Sequence, residues 1–253
     1  MSIGNLYGVE LAKVFDIMYQ GFIDYEQEFE FYATKAKALG TQSIIELGCG
    51  TGNLAKHFTQ YFKPYLGLDL SEHMLQLARE KNPKANFMQA DMRSFSTTTQ
   101  FDLALITGRS SSYLLSHADL SNTFKCISKT LKSKGHLIFD CIDAERFVPF
   151  VDENPAVTHH SKVGSTKFKR TSHWYIENRH ENLVNWKANY YRLEGTEEVL
   201  LGQDRVIFKA FTRKEISELL QKEKFKVLGV ENRASYAFDT FVVHAEKNPT
   251  ITP

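Results

Sequence analysis

The residues best placed to hold a ligand lie where an apolar run meets a string of glycines: Ile44-Ile45-Glu46-Leu47-Gly48-Cys49-Gly50-Thr51-Gly52-Asn53. Two β-branched residues before Glu46 predict a strand, the alternate glycines a tight turn, and Leu54-Ala55-Lys56-His57-Phe58 the start of a helix. Glycine tolerates positive φ and lets a ligand approach the backbone closely, so the turn is expected to press its main chain against a bound molecule. A dinucleotide fingerprint would place glycine or alanine where Asn53 stands, so that fit is poor. No G-x-x-x-x-G-K-[ST] phosphate loop occurs. The competing reading is a turn with no ligand.

Carboxylates recur at the ends of the next two predicted strands. Tyr65-Leu66-Gly67-Leu68-Asp69-Leu70-Ser71 ends one in Asp69, where a carboxylate can accept both hydroxyls of a ribose. Ala85 to Met92 reads as a third short strand ending in Asp91-Met92. Each Asp could instead simply open a helix. Ser71 is the expected N-cap of a helix over Glu72 to Lys81.

Taken together, the E-x-G-x-G-x-G run and the two later strand ends resemble motif I and its neighbours in class I S-adenosylmethionine-dependent methyltransferases. The resemblance implies an enzyme of that class, with S-adenosylmethionine as cofactor. It assigns Glu46 to the methionine end of the cofactor, and Gly48, Gly50 and Gly52 to the turn beneath it. It gives Asp69 to the ribose, Asp91 and Met92 to the adenine, and Leu70 to the cofactor site. Thr107 and the loop Gly108-Arg109-Ser110-Ser111-Ser112-Tyr113-Leu114 would face the transferable methyl. Val14-Phe15-Asp16-Ile17-Met18-Tyr19, followed by Asp24-Tyr25, looks like the N-terminal segment that closes over the cofactor, with the Tyr19 hydroxyl reaching it. These stretches, with Gln89-Ala90-Asp91-Met92-Arg93, are most similar to the amino-sugar N,N-dimethyltransferases, which act on small molecules. Tyr113 is then the candidate catalytic group, orienting the acceptor or taking its proton, unless it merely packs. Tyr113 and Arg109 are the candidate substrate-binding residues, since a guanidinium offers paired donors to a carboxylate or phosphate, or to an acid of the protein itself.

The elements that must position these residues alternate. Helical periodicity runs from Gly8 to Leu39 with a break at Gly21, and strand and helix then alternate to Cys141. Phe101 to Ile106 is an apolar strand of the kind buried in parallel sheets. The next helix carries Leu120, Phe124, Ile127 and Leu131, is expected to end at Gly135, and leads into a strand over His136 to Cys141. Three alternating stretches, Phe168 to Ile176, Leu183 to Leu193 and Val199 to Phe211, predict an antiparallel meander. Thr212 caps a helix to Glu223, two closing strands follow at Phe225 to Glu231 and Thr240 to Ala245, and the tail from Glu246 is expected to fray. The fold expected is a Rossmann-like, doubly wound seven-stranded α/β sheet with an antiparallel β insertion before its last two strands. Its parts are cap helices and cofactor-binding core at 1–147, the insertion at 148–211 as a lid or homodimer surface, and completion of the core at 212–253.

With 253 residues, 42% apolar and 24% charged, the chain can bury a substantial core. A formal net charge of +1 gives no field for nucleic acid or anionic membrane, favouring a small-molecule methyl acceptor. Cys49, Cys126 and Cys141 lack paired or metal-type spacing and read as free thiols of a reducing compartment. His159, His160, His173 and His180 form no recognised metal motif, so no metal is expected. No apolar run spans a bilayer and no leader pattern opens the chain, which reads as cytoplasmic. A nitrogen or oxygen nucleophile, a catalytically silent cofactor-binding subunit and an RNA methyltransferase remain alternatives at this point.

Overall fold

A computed structural model describes residues 9–234 and 239–249. Helices α1 (Val9–Gln20) and α2 (Tyr25–Ala38) come first. An alternating series follows: β1 (Ile44–Leu47), α3 (Ala55–Tyr61), β2 (Tyr65–Asp69), α4 (Glu72–Lys81), β3 (Asn86–Gln89), β4 (Phe101–Ile106), α5 (His117–Thr130) and β5 (Leu131–Ile142). After α6 (Ala144–Glu153) come β6 (Ala156–Val163), β7 (Thr166–Asn178), β8 (Leu183–Glu194) and β9 (Glu197–Lys209). Helix α7 (Arg213–Lys222), β10 (Phe225–Arg233) and β11 (Thr240–Lys247) close the chain.

The main sheet has the order β10-β11-β5-β4-β1-β2-β3. Strands β1 to β5 are parallel, and β11 runs antiparallel to both β5 and β10. Alternate side chains supply two layers, as the two-residue period of a strand requires. Ile45, Leu47, Ala104, Ile106 and Phe139 pack with α5 and α7 through Leu120, Phe124, Ile127 and Ile216. Ile44, Leu103, Leu105 and Ile138 pack on the other face with Phe29, Tyr32 and Phe58 of α2 and α3. The strand order reverses beside β1, and the crevice at the carboxyl ends of β1 and β4 is where such sheets take ligands.

The expected architecture is borne out, insertion included, but several details differ. The second sheet has four antiparallel strands in the order β6-β7-β8-β9, not three. Strand β6, Thr158-His159-His160-Ser161-Lys162 at its centre, is an edge strand whose polar side chains carry no apolar alternation. Helix α6 also escaped the periodicity reading, because Pro149 sits inside it; Asp143 caps it by accepting from the Glu145 N–H. It runs across the boundary between residues 147 and 148 at which the insertion was drawn to begin. Helix α5 ends at Thr130, not Gly135, since Leu131 is already extended and pairs with Phe101. Glu246 and Lys247, expected to fray, pair with β10; Gly8 and residues 250–253 lie outside the described residues. The three cysteines are free thiols. No described helix is long and apolar enough to cross a membrane.

The inner face of the second sheet forms its own core. Phe168, Trp174, Val184, Trp186, Tyr190 and Phe208 pack against Met18 and Tyr19 of α1 and Phe147 and Val151 of α6. Helix α1 is also fastened to the glycine turn. Asp16, 9% exposed, accepts from Thr51 Oγ1 at 2.5 Å, Asn53 Nδ2 at 3.2 Å and Lys81 Nζ at 2.6 Å. Removing this nearly buried acceptor strands three donors at once. Asp16→Ala is expected to cost about 2 kcal/mol, a fall in Tm of roughly 4–8 °C by calorimetry. A change below about 1 °C would mean that the cluster does not hold α1 down.

Candidate active site

One cavity of about 760 Å³ opens at the carboxyl ends of β1, β2 and β4 and continues beneath the second sheet. Gly48, Gly50 and Gly52 all have positive φ, at 75°, 55° and 71°. Gly48 N–H and Cys49 N–H both donate to the Leu68 carbonyl, which folds the turn over β2. A Cβ on Gly48 would meet Ser110 at 2.6 Å, so only glycine lets the two loops close. Gly50 borders open space in the cavity wall. Gly52 does not line the cavity; it packs on Ala78, and its carbonyl accepts from Asn82. Gly52 thus packs against α4 at the edge of the turn, outside the cavity lining.

Glu46 is 2% exposed, with Tyr65 donating to Oε2 at 2.5 Å and Thr107 donating to Oε1 at 3.2 Å. Burial pushes its carboxyl up to about 7, against the pull of these two donors. Asp69 ends β2 and accepts from Gly50 N–H at 2.8 Å and Ser71 N–H at 2.9 Å. Burial raises its pKa, and the backbone donors oppose the rise. Asp91 lies beyond β3, with Arg93 donating to both its oxygens; those bonds hold its carboxyl below the usual range. Met92 and Leu70 complete this end of the wall.

At the other end, Gly108 and Arg109 both take positive φ, 62° and 65°. A non-glycine residue there costs of order 1 kcal/mol, and strain of this kind gathers at functional loops. Asp140 holds the bend: its Oδ1 accepts from Arg109 N–H at 2.8 Å, and its carbonyl accepts from Ser111 Oγ at 2.6 Å. Burial lifts the Asp140 carboxyl to about 6. Tyr113 closes the 3₁₀ turn Ser110–Tyr113 and lines the cavity. The Tyr19 hydroxyl accepts from Arg170 Nη1 at 2.7 Å, so it is committed to the second sheet as well as facing the cavity.

The structure thus brings to one cavity Tyr19, Glu46, Gly48, Gly50, Asp69, Leu70, Asp91, Met92, Thr107, Arg109 and Tyr113, leaving out only Gly52 of the residues expected there. Periodicity missed the far wall: Asp140 from β5, Arg170 and Trp174 from β7, and Asn185 and Trp186 from β8. One signal was present, since both tryptophans of the chain fall in the meander.

The donor set suits S-adenosylmethionine rather than a dinucleotide. Three carboxylates stand at neighbouring strand ends, which matches a ligand with an ammonium group, a positively charged sulfur, hydroxyls and an amino group. A pyrophosphate would be repelled by the same charges. Comparison with known proteins agrees. Residues 44–135 match the model of a methyltransferase domain family.

That match runs from β1 to the start of β5. Over 138 residues, 53% of this chain and 58% of the relative, the chain is 31% identical to dTDP-3-amino-3,4,6-trideoxy-alpha-D-glucopyranose N,N-dimethyltransferase of Streptomyces venezuelae. It is 32% identical to a putative methyltransferase, YqeM, of Bacillus subtilis strain 168, over 49% of this chain and 55% of that one. The match spans about half the length of the curated relatives. Among solved structures, S-adenosylmethionine-bound CalS10, an amino pentose methyltransferase from Micromonospora echinaspora, superposes with a TM-score of 0.80 at 19% identity, covering 93% of this chain and 97% of that one. DesVI of Streptomyces venezuelae gives 0.79 at 23% identity, covering 94% and 99%. The fold is that of these methyltransferases across nearly the whole chain, and the resemblance to the amino-sugar group is borne out.

Proposed function

We propose that the chain is an S-adenosylmethionine-dependent methyltransferase that methylates a nitrogen of a small-molecule amine. The observation that carries this is the shared cavity: three carboxylates at or near strand ends at one end, an aromatic compartment at the other, and the strained Gly108-Arg109 bend between them. The matched relatives named as sugar N,N-dimethyltransferases support an amine as acceptor.

Glu46 is the acceptor for the cofactor's ammonium group, and Asp69 keeps lone pairs beyond its two backbone donors for ribose hydroxyls. Asp91 offers the adenine amino group what Arg93 leaves free, with Met92 and Leu70 packing beside it. Gly48 and Gly50 bring the main chain close, and Thr107 keeps the Glu46 carboxylate aimed. S-adenosylmethionine, when bound, supplies an electrophilic methyl on a sulfur that departs neutral, so little covalent help is needed. The remaining work is positional: the second sheet and α1 exclude water and hold the amine in line. An amine must also lose its proton, and Tyr113 and Asp140 are the groups in this compartment that can orient or accept it.

Turnover of labelled cofactor against a panel of amines and amino sugars tests the reading. Methylation of at least one amine is the expected result. Tight cofactor binding with no turnover on any amine or alcohol would replace it with a non-catalytic binding subunit. The reading extends to a cytoplasmic enzyme that forms a homodimer through β6–β9; a monomer by light scattering would remove the dimer.

A further inference from the structure

Asp91 reaches the cavity with most of its acceptor capacity already used. An ionised carboxylate has about four acceptor directions. Oδ1 accepts from the Arg93 N–H at 2.9 Å and from Arg93 Nε at 2.9 Å. Oδ2 accepts from Arg93 Nη2 at 2.5 Å, and Nε is shared with it at 3.1 Å. By that count one direction is left, on Oδ2. The two side-chain bonds are of the fork type, which fixes the plane of the carboxylate as well as its position. The same bonds hold Asp91 below the usual carboxylate range, so the remaining direction can only accept.

Arg93 is itself held from behind. Its Nη1 donates to Asp119 Oδ1 at 3.1 Å, while Asp119 Oδ2 belongs to the capping box with Ser116 that opens α5. Its carbonyl accepts from Cys126 Sγ at 3.6 Å, two turns further along the same helix. Met92 packs against the core cluster that holds Leu114 and Leu120, and Leu114 directly follows Tyr113. Asp91 and Arg93 keep 26% of their side-chain exposure and Asp119 keeps 21%. Ion pairs with this much access to water contribute little to folding, whereas a bidentate clamp on an acceptor in a cavity wall fixes the direction in which it accepts.

We infer that Arg93 is a positioning residue for the adenine end: it locks Asp91 so that the one remaining acceptor direction takes the amino group of the cofactor's base, and its bond to Asp119 ties that contact to α5. The inference rests on the proposed methyltransferase reading, which supplies the adenine. An amino group donates along the free direction. A ring oxygen in the same place sets lone pairs against lone pairs, with no proton between them to share. The site therefore separates adenine from hypoxanthine, and the rigidity that Arg93 gives to Asp91 sets how sharply.

Calorimetric titration of the full chain with S-adenosylhomocysteine and with S-inosylhomocysteine, which carries hypoxanthine in place of adenine, measures the ratio of the two affinities. Wild type is expected to prefer the adenosyl compound about a hundredfold. Arg93→Ala should weaken the adenosyl compound about tenfold and the inosyl compound by less than about threefold, so the ratio shrinks. Arg93→Lys, which keeps the charge without the fork and serves if the alanine variant does not fold, should give a ratio between the two. Asp119→Ala should lower the ratio about threefold in the wild-type background and leave it unchanged beside Arg93→Ala, since the two residues then act through one contact. An arginine that only supports the fold would lower Tm and weaken both compounds by the same factor. Equal factors in the Arg93 variants, or a wild type that binds both compounds alike, overturn the inference and leave the methyltransferase reading standing. An unchanged ratio in Asp119→Ala overturns the tie to α5, and a wild type that does not bind S-adenosylhomocysteine overturns the inference and the reading together.

Discussion

Glu46→Gln is expected to weaken S-adenosylmethionine binding on the order of a hundredfold at pH 8 and yet leave the free protein at least as stable as the wild type. The loss follows from replacing a buried carboxylate with a neutral amide where an ammonium group is to be held, since a hydrogen bond to a charged group contributes about 1.5–3 kcal/mol. The stability follows from the opposite side of the same burial. Burial holds the Glu46 carboxyl up at about 7 in the folded chain, above the ordinary 4.5. A carboxyl raised in this way contributes stability that is complete below its unfolded pKa and is lost as pH rises through about 7. At pH 8 the ionised, empty site therefore destabilises the fold by roughly 3 kcal/mol relative to acid conditions, and glutamine removes that titration. The same shift predicts that wild-type affinity falls about tenfold per pH unit as pH drops below about 7, while the variant stays flat. Calorimetric titration at several pH values, paired with melting curves, measures both. A wild-type affinity unchanged from about pH 7 down to 5.5 would take the ammonium away from Glu46.

The near end of the cavity could be read from the sequence because its function is written in local chemistry. A glycine turn needs glycines at fixed offsets, and a strand that ends in a carboxylate shows both features within a few residues, as at Glu46 and Asp69. The far wall could not be read so. Arg170 and Asn185 reach the cavity only because β7 and β8 pair, and because α1 lays Tyr19 across them. Asp140 likewise looks like any residue of a buried strand until the bend at Arg109 is seen to hang from it. Strand β6 and helix α6 were hidden for a simpler reason, since an edge strand need not alternate and a proline inside a helix breaks the usual signal. Gly52 differs from the other two motif glycines in packing tightly on Ala78.

Asp69→Ala should separate binding from stability at the neighbouring strand end. Its two oxygens accept from Gly50 and Ser71, so the carboxylate both faces the cavity and shapes the turn that does. Loss of charge-assisted bonds to two ribose hydroxyls alone accounts for about 1–3 kcal/mol. Release of the Gly50 N–H loosens the turn further, which brings the expected loss of cofactor affinity to about 3 kcal/mol, on the order of a hundredfold. Stability should move much less, because two effects oppose: the backbone donors lose their acceptor, but a carboxylate disfavoured by burial is also removed. The expected change in Tm is within about 4 °C. Asp69→Asn, which can still accept from Gly50 but turns an amide toward Ser71, should fall between, near tenfold in affinity. Affinity within about twofold of wild type in the alanine variant would mean that Asp69 shapes the turn and touches no ligand, whereas a large Tm loss with intact affinity would make it purely a support for the fold.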